Sequence, residues 1–173
     1  MLKSILYSAI IMFSTLGYAA EVGPLDYMSK DGDFSILIPK QWEITKDVMG
    51  ADVVAIAPSL DPQDLFHENF NIISAKFDFP MSKEEYYSLN IRSLSDLLTD
   101  FDLENSEDVS IGGQDARKIV FTHRIGVVNV RVIQYLFLKG QKAVVLSFTA
   151  DTLEYPKMRT QFDEMISTFK LVK

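Results

Sequence analysis

Two long β-rich runs joined by a short turn are the feature that most limits what this chain can fold into. They span residues 116–123 and 128–138, and residues 125–127 between them have the length of a hairpin turn. In the second run, apolar side chains occupy both alternating sets of positions: Val130, Val132 and Leu136 on one side, and Ile133, Tyr135 and Phe137 on the other. Strands of this kind are buried on both faces. The pattern predicts a sheet that is covered on both sides.

The rest of the sequence places more strands and two helices around this sheet. Strands are predicted at residues 34–38, 42–45, 53–57, 71–79 and 143–149. Ser82 and Glu85 form a capping box that begins a helix ending near Leu98. A second amphipathic helix covers about residues 153–168, and its buried stripe comprises Met158, Phe162, Met165, Ile166 and Phe169. This order predicts an α+β fold, with a central, mainly antiparallel β-sheet and helices packed on its faces.

The N-terminus predicts export from the cytoplasm. Lys3 precedes an apolar run over residues 4–16, and Gly17 and Ala19 are small residues at the two positions that a signal peptidase reads. The run has about thirteen residues, fewer than the roughly twenty that a membrane-spanning helix needs. We therefore expect residues 1–19 to be a signal peptide and residues 20–173 to form one domain, which does not span the membrane after cleavage. The expected location is the periplasm, with full secretion as the alternative.

Composition excludes several classes of function. The chain has 17 basic and 24 acidic residues, a net charge of −7, and loss of Lys3 with the signal makes the remainder −8. Nucleic-acid binding needs clustered positive charge, so it is not expected. The chain contains no cysteine, which excludes disulfides, thiol catalysis, cysteine-ligated zinc and lipid attachment through cysteine. No serine lies in a Gly-x-Ser-x-Gly motif. We expect neither enzymatic activity nor a cofactor.

Several structural motifs resemble those of PsbP-like proteins. They are the opening Gly32-Asp33-Phe34-Ser35-Ile36 through Pro39 to Trp42, the Ile111-Gly112-Gly113 turn before a long strand pair, and the closing Ser167-Thr168-Phe169-Lys170-Leu171. The group includes DcrB-type envelope proteins and, by fold, a Ran-binding import factor. The resemblance implies an antiparallel sheet sandwiched between helices and an accessory, assembly or binding role without enzymatic activity.

Charge is unevenly distributed along the chain. Residues 116–150 contain no acid but carry six cations, namely Arg117, Lys118, Arg124, Arg131, Lys139 and Lys142, whereas residues 96–108 contain six acids and no base. One interpretation is that a basic sheet and acidic helices over it neutralise each other. The other is a basic surface for an anionic partner, with Arg117, His123, Arg124 and Arg131 as candidate contacts. His123 can also be structural, since no nucleophile or carboxylate lies near it in sequence.

Four residues have the chemistry of a divalent-cation site, although their spacing matches no known motif. Asp61, Asp64, His67 and Glu68 offer carboxylate oxygens and one imidazole within eight residues. Pro62 is typical of a turn or helix start, where acids are common in any case. The interpretation favoured here is a solvated loop without metal.

The leading functional hypothesis is a non-enzymatic accessory or binding protein of the bacterial cell envelope. Its partner is expected to be an envelope protein or an anionic surface, contacted through the sheet edge or the basic hairpin. The alternative is a periplasmic carrier of a small hydrophobic ligand or lipid, and a weaker one is an enzyme whose site is assembled from distant residues.

Cleavage after Ala19 is directly testable. N-terminal sequencing of the protein released by osmotic shock should begin at Ala20, because Gly17 and Ala19 satisfy the small-residue rule of the peptidase. Recovery of the intact chain, beginning at Met1, from the cytoplasm would contradict the export prediction.

Overall fold

The structure, a computed structural model, describes residues 25–59 and 65–172, so the predicted signal peptide lies outside the described residues. The described chain forms ten strands and two helices. In chain order they are β1 (Leu25–Met28), β2 (Phe34–Ile38), β3 (Glu43–Val48), β4 (Ala51–Ile56), β5 (Asn69–Lys76), α1 (Lys83–Leu97), β6 (Asp102–Ile111), β7 (Gln114–Ile125), β8 (Val128–Lys139), β9 (Lys142–Asp151), α2 (Tyr155–Ser167) and β10 (Lys170–Leu171).

Seven of the strands form one antiparallel sheet. Its strand order is β3-β4-β5-β9-β8-β7-β6, and the long meander β6 to β9 supplies more than half of it. Strand β5 pairs with β9, which places the early β3–β5 strands beside the last strand of the meander. A separate small sheet contains β1, β2 and β10, in that order.

Both faces of the large sheet are covered. On one face, α2 and the small sheet enclose a core that includes Trp42, Phe148 and Phe162. On the other face, α1 packs through Tyr86, Tyr87 and Leu94 against Ile119, Phe121 and Leu136. The register explains this division, since residues 116, 118 and 120 of β7 face α2 whereas residues 117, 119 and 121 face α1.

The helix ends follow from their sequences. The Ser82 hydroxyl accepts the backbone N–H of Glu85, and the Glu85 carboxylate accepts the N–H of Ser82, which is the predicted capping box. Helix α2 has Pro156 in its first turn, where the missing N–H costs no hydrogen bond. None of the helices in the described part of the chain is long and apolar enough to cross a membrane.

The predicted α+β class, with a mainly antiparallel sheet and helices on its faces, is confirmed. Two details differ from expectation. Strand β2 belongs to the small sheet, because β1 and β10 flank it. No strand was predicted in the acidic segment before Gly112, yet residues 102–111 form β6, which pairs along its length with β7.

The turn between β6 and β7 belongs to the large sheet and packs on the chain that leads into the small sheet. Gly112 and Gly113 both have positive φ angles, +57° and +78°, as a two-residue hairpin turn requires. A side chain at Gly112 would bring its Cβ to 3.2 Å from the backbone oxygen of Phe169, just before β10, whereas one at Gly113 would meet no atom within 4 Å. The turn therefore packs closely on the chain that leads into the small sheet.

Alanine substitutions should separate these two effects. Gly113→Ala should lower the free energy of unfolding by about 1–2 kcal/mol, the cost of a left-handed non-glycine residue. Gly112→Ala should cost more, because the Phe169 carbonyl must also move. Urea unfolding of both variants measures the difference, and equal losses would show that the contact with Phe169 has no energetic weight.

Candidate partner interface

Strand β6 is the outer strand of the large sheet and carries much of the chain's acidic charge. Residues 102–108 are all exposed, and among the described residues β6 pairs with β7 alone. Its acids form ion pairs with cations of the neighbouring strands: Glu107 with Lys118 (3.4 Å), Asp108 with Arg117 (3.1 Å) and Glu104 with Arg131. Just before β6, Asp100 pairs with Arg124 at 2.6 Å.

The basic stretch is therefore largely neutralised within the molecule. Of its six cations, four pair with acids on or beside β6, and Lys142 pairs with Asp33 next to β2. This supports the interpretation that the opposite charges cancel, with one correction. The acids that pair with these four cations lie on and just before an edge strand and not on the helices, since only Asp96 of the acidic run lies in α1.

The four candidate contact residues do not form one surface. The Arg117 guanidinium lies 5.1 Å from the ring centre of Tyr87 on α1, whereas that of Arg131 lies 4.9 Å from the ring centre of Tyr155 on α2. These two arginines are thus on opposite faces of the sheet. Arg124 lies at the end of β7, where its side chain also donates to the Gly126 carbonyl. That these arginines contact a partner stays a prediction; their observed contacts hold β6 and the helices to the sheet.

His123 lies inside the core on the α1 face. It is only 3% exposed, and its ring centre lies 6.1 Å from that of Phe121. Neither ring nitrogen has a hydrogen-bond partner of good geometry among the described residues. Burial lowers the pKa of His123, and the backbone of Arg124 offsets part of that effect. The position suits the structural interpretation, because a buried ring offers a partner almost no surface.

The backbone of β6 offers hydrogen-bonding groups along its free side. Ile111 and Gln114 flank the two-residue turn, so they form a hydrogen-bonded pair. In an antiparallel ladder this pairing recurs at every second residue, at Val109, Glu107 and Asn105. The N–H and C=O groups of Ser110, Asp108 and Ser106 consequently point away from β7, towards the open edge.

The remaining sheet edges among the described residues are short or irregular. Strand β3, at the opposite end of the large sheet, has six residues and is interrupted by Asp47, whose φ is +52°, just before the turn residue Met49 at +51°. Strands β1 and β10 have only four and two residues. Strand β6 has ten and follows a regular ladder from Asn105 to Ile111, after one irregularity between Leu103 and Asn105. It is the one long, regular edge in the described chain.

A row of buried polar side chains crosses the sheet beneath α1. Asn71, Ser147 and Gln134 are neighbours on β5, β9 and β8, and each is at most 2% exposed. The Gln134 amide donates to the Ser147 hydroxyl at 3.0 Å. The sequence patterns did not predict this row. The signal available was Gln134 and Ser147, each a lone polar residue inside an apolar run.

The candidate cation cluster is only partly within the described chain. Asp61 and Asp64 lie outside the described residues. His67 is exposed, whereas Glu68 is buried and accepts the backbone N–H of Asp151 at 3.3 Å, which ties the start of β5 to the end of β9. No group of three or more metal-binding side chains occurs within residues 25–59 and 65–172. That the segment is a solvated loop without metal stays a prediction.

An apolar cleft of about 650 Å³ lies at the start of α1. Its apolar lining comes from Phe79, Pro80, Met81 and Leu89, and Glu84, Glu85 and Ser88 complete it. Phe79 is 46% exposed. The cleft opens at the surface and does not lie between the sheet and α1, where the carrier hypothesis would place a ligand.

Solved structures share this fold. CyanoP, the PsbP protein of Synechocystis sp. PCC 6803, matches with a TM-score of 0.65 over 92% of this chain and 98% of its own, at 15% identity. LpqN of Mycobacterium tuberculosis, described as involved in cell envelope biogenesis, matches with a TM-score of 0.67 over 81% of this chain and 83% of its own, at 13% identity. The Ran-binding protein Mog1p of Saccharomyces cerevisiae matches with a TM-score of 0.59 over 88% of this chain and 97% of its own, at 12% identity.

These likenesses confirm the PsbP-like fold. At such low identity they establish the architecture alone. No protein-family model and no curated protein sequence matches the chain.

Protonation of His123 should destabilise the protein in mild acid. Because burial lowers its pKa in the folded state, the unfolded chain takes up the proton first, and stability falls as the pH drops below about 6.5. His123→Gln should flatten the decline of the thermal midpoint between about pH 7.5 and 5.5. The matched control is His67→Gln, which makes the same change at an exposed histidine and shows whether the effect belongs to the buried ring. An unchanged slope in His123→Gln would contradict the assignment.

Proposed function

We propose that this protein is a non-enzymatic accessory protein of the bacterial cell envelope that binds a protein partner along strand β6. The observation that carries the proposal is the long, regular and exposed edge that β6 leaves on the large sheet. Natural proteins usually cover or interrupt such an edge because it invites pairing with another chain. In this protein the opposite edge is interrupted at Asp47, whereas β6 keeps a regular ladder over the seven residues from Asn105 to Ile111.

The ion pairs of β6 support this role. Arg117 and Lys118 on β7 and Arg131 on β8 hold the acids of β6 in place. Partly exposed ion pairs contribute little to stability individually, about 0–1 kcal/mol. Several ion pairs along β6 together keep the strand extended and fix the positions of its charged side chains. A strand that docks a partner needs both properties. In this role the candidate arginines do not touch the partner. They lie on the inner strands of the sheet and hold the acidic side chains of β6 in position.

An envelope location and a non-catalytic role are supported indirectly. The N-terminal sequence is typical of an export signal. One protein of the same fold is described as involved in cell envelope biogenesis, and another as Ran-binding. The periplasm is the proposed compartment, with secretion as the alternative.

A carrier function is the second candidate, and the cleft at the start of α1 favours it. Phe79, Met81 and Leu89 offer an apolar surface of a size that suits a small ligand, since ligand sites commonly have volumes of about 300–1,000 Å³. The cleft is open at the surface, whereas carriers enclose most of their ligand. We therefore rank this candidate below partner binding.

Site-specific photo-crosslinking in intact cells distinguishes the two. A photoreactive amino acid at Ser110, beside the open edge, should give one protein adduct, because a partner strand would lie in contact with it. The matched control is the same residue at exposed Lys46 on the opposite edge, which should give none. Lipid or small-molecule adducts from position 89 in the cleft, with no protein adduct from position 110, would favour the carrier and contradict the proposal.

A further inference from the structure

We propose that β6 binds an extended, basic segment of the partner by antiparallel strand addition; this rests on the proposed function of β6 as the partner edge. The occupant is specified by two independent features of the strand. The first is the set of backbone groups on its open side, and the second is the charge of its side chains.

The backbone features favour a strand over any other shape. Ser106, Asp108 and Ser110 each present an N–H and a C=O to the open side, at the two-residue spacing of a β-ladder. Their side chains are small, so they leave room for a neighbouring strand. Main-chain hydrogen bonds supply affinity in this mode of recognition, and side chains supply specificity.

The side chains favour cations in the added strand. Asp108 and Glu107 are adjacent and point to opposite faces of the sheet, and their arginine and lysine partners lie on the β7 side. The Asp108 side chain is still 78% exposed and that of Glu107 47%. Each carboxylate can therefore accept a second cation from the open side, and opposite charges directly across a strand pair are stabilising.

A second copy of this chain is a poor occupant for the same reason. When residues 105–111 pair fully with themselves in antiparallel fashion, Asp108 faces Asp108 and the two Glu107 side chains are diagonal neighbours. Like charges directly opposite destabilise a strand pair. The acidic strand thus discourages self-association while it attracts a basic chain.

The register gives the partner segment a short sequence pattern. A residue opposite Val109, which packs partly on the α2-side core, should be apolar. In an antiparallel strand the next two residues lie opposite Asp108 and Glu107 and should be lysine or arginine. The inferred pattern is therefore one apolar residue followed by two basic residues, with a further apolar position opposite Ile111.

Amide hydrogen exchange with a designed probe tests the inference. The probe is the capped peptide Val-Thr-Val-Lys-Lys-Thr-Thr, laid out to pair with Ile111 back to Asn105, and the control peptide has glutamates in place of both lysines. The lysine peptide should slow the exchange of the outward amides of Ser106, Asp108 and Ser110 by roughly tenfold at saturation, whereas Val109 and Glu107 are already protected by β7. The effect should weaken as salt rises.

A proline variant tests the same point by affinity. Ser106→Pro removes an outward N–H but no bond to β7, so it should weaken probe binding roughly tenfold, the worth of one to two hydrogen bonds. The matched control Ser106→Ala loses the same hydroxyl, including its 3.5 Å contact with Arg117, and should bind like the wild type. If Ser106→Pro unfolds, Ser110→Pro repeats the test at another residue whose N–H points to the open side.

The outcomes separate the inference from the proposed function. Protection of the outward amides by the lysine peptide alone supports strand addition. Equal binding of both peptides, or no protection by either, overturns it. A protein adduct at position 110 would still support the partner edge in that case, whereas its absence would remove the proposed function as well.

Discussion

Burial of the central strands on both faces is the constraint on which the rest of this structure depends. Every residue from 143 to 150 in β9 is buried, including Leu146 and Phe148 on the α2 face and Val145 on the α1 face. Each large apolar side chain removed from water contributes about 1.5–3 kcal/mol, so leaving either face open would forfeit much of the folding free energy. The two helices and the small sheet meet this need, and their amphipathic character follows from it. Residues 102–108 of β6, far from the centre, are exposed and lie outside this constraint.

The fold could be predicted where a single periodicity dominates the sequence. The two-sided apolar pattern of β8, the capping box of α1 and the apolar stripe of α2 all led to the observed elements. Most of strand β6 could not be found this way because residues 102–108 are exposed on both faces and show no apolar alternation. Its strand conformation comes from pairing with β7 across the two-residue turn, which the side-chain pattern of residues 102–108 does not reveal. The short strands β1 and β10 depend in the same way on β2.

The candidate interface was predicted in part. The uneven charge along the chain was visible in the sequence, and so was the possibility that it cancels. Which acids meet which cations depends on strand register, and a shift of one residue would send Arg117 to the other face. For that reason the cations looked like one basic surface, although the structure divides them between the α1 face and the α2 face. The proposed partner edge lies on the acidic strand beside them.

If β6 takes up a partner strand as proposed, the unequal edges of the large sheet would favour one partner for each molecule. The left-handed Asp47 breaks β3 near its end, so an added strand would find only residues 43–46 in regular register there, against residues 105–111 of β6. Each molecule would then take up one strand, and that strand would become the new edge of the sheet. The complex stays a discrete pair where the partner covers the outer side of its own strand, whereas open edges on every molecule would let copies propagate into a fibre.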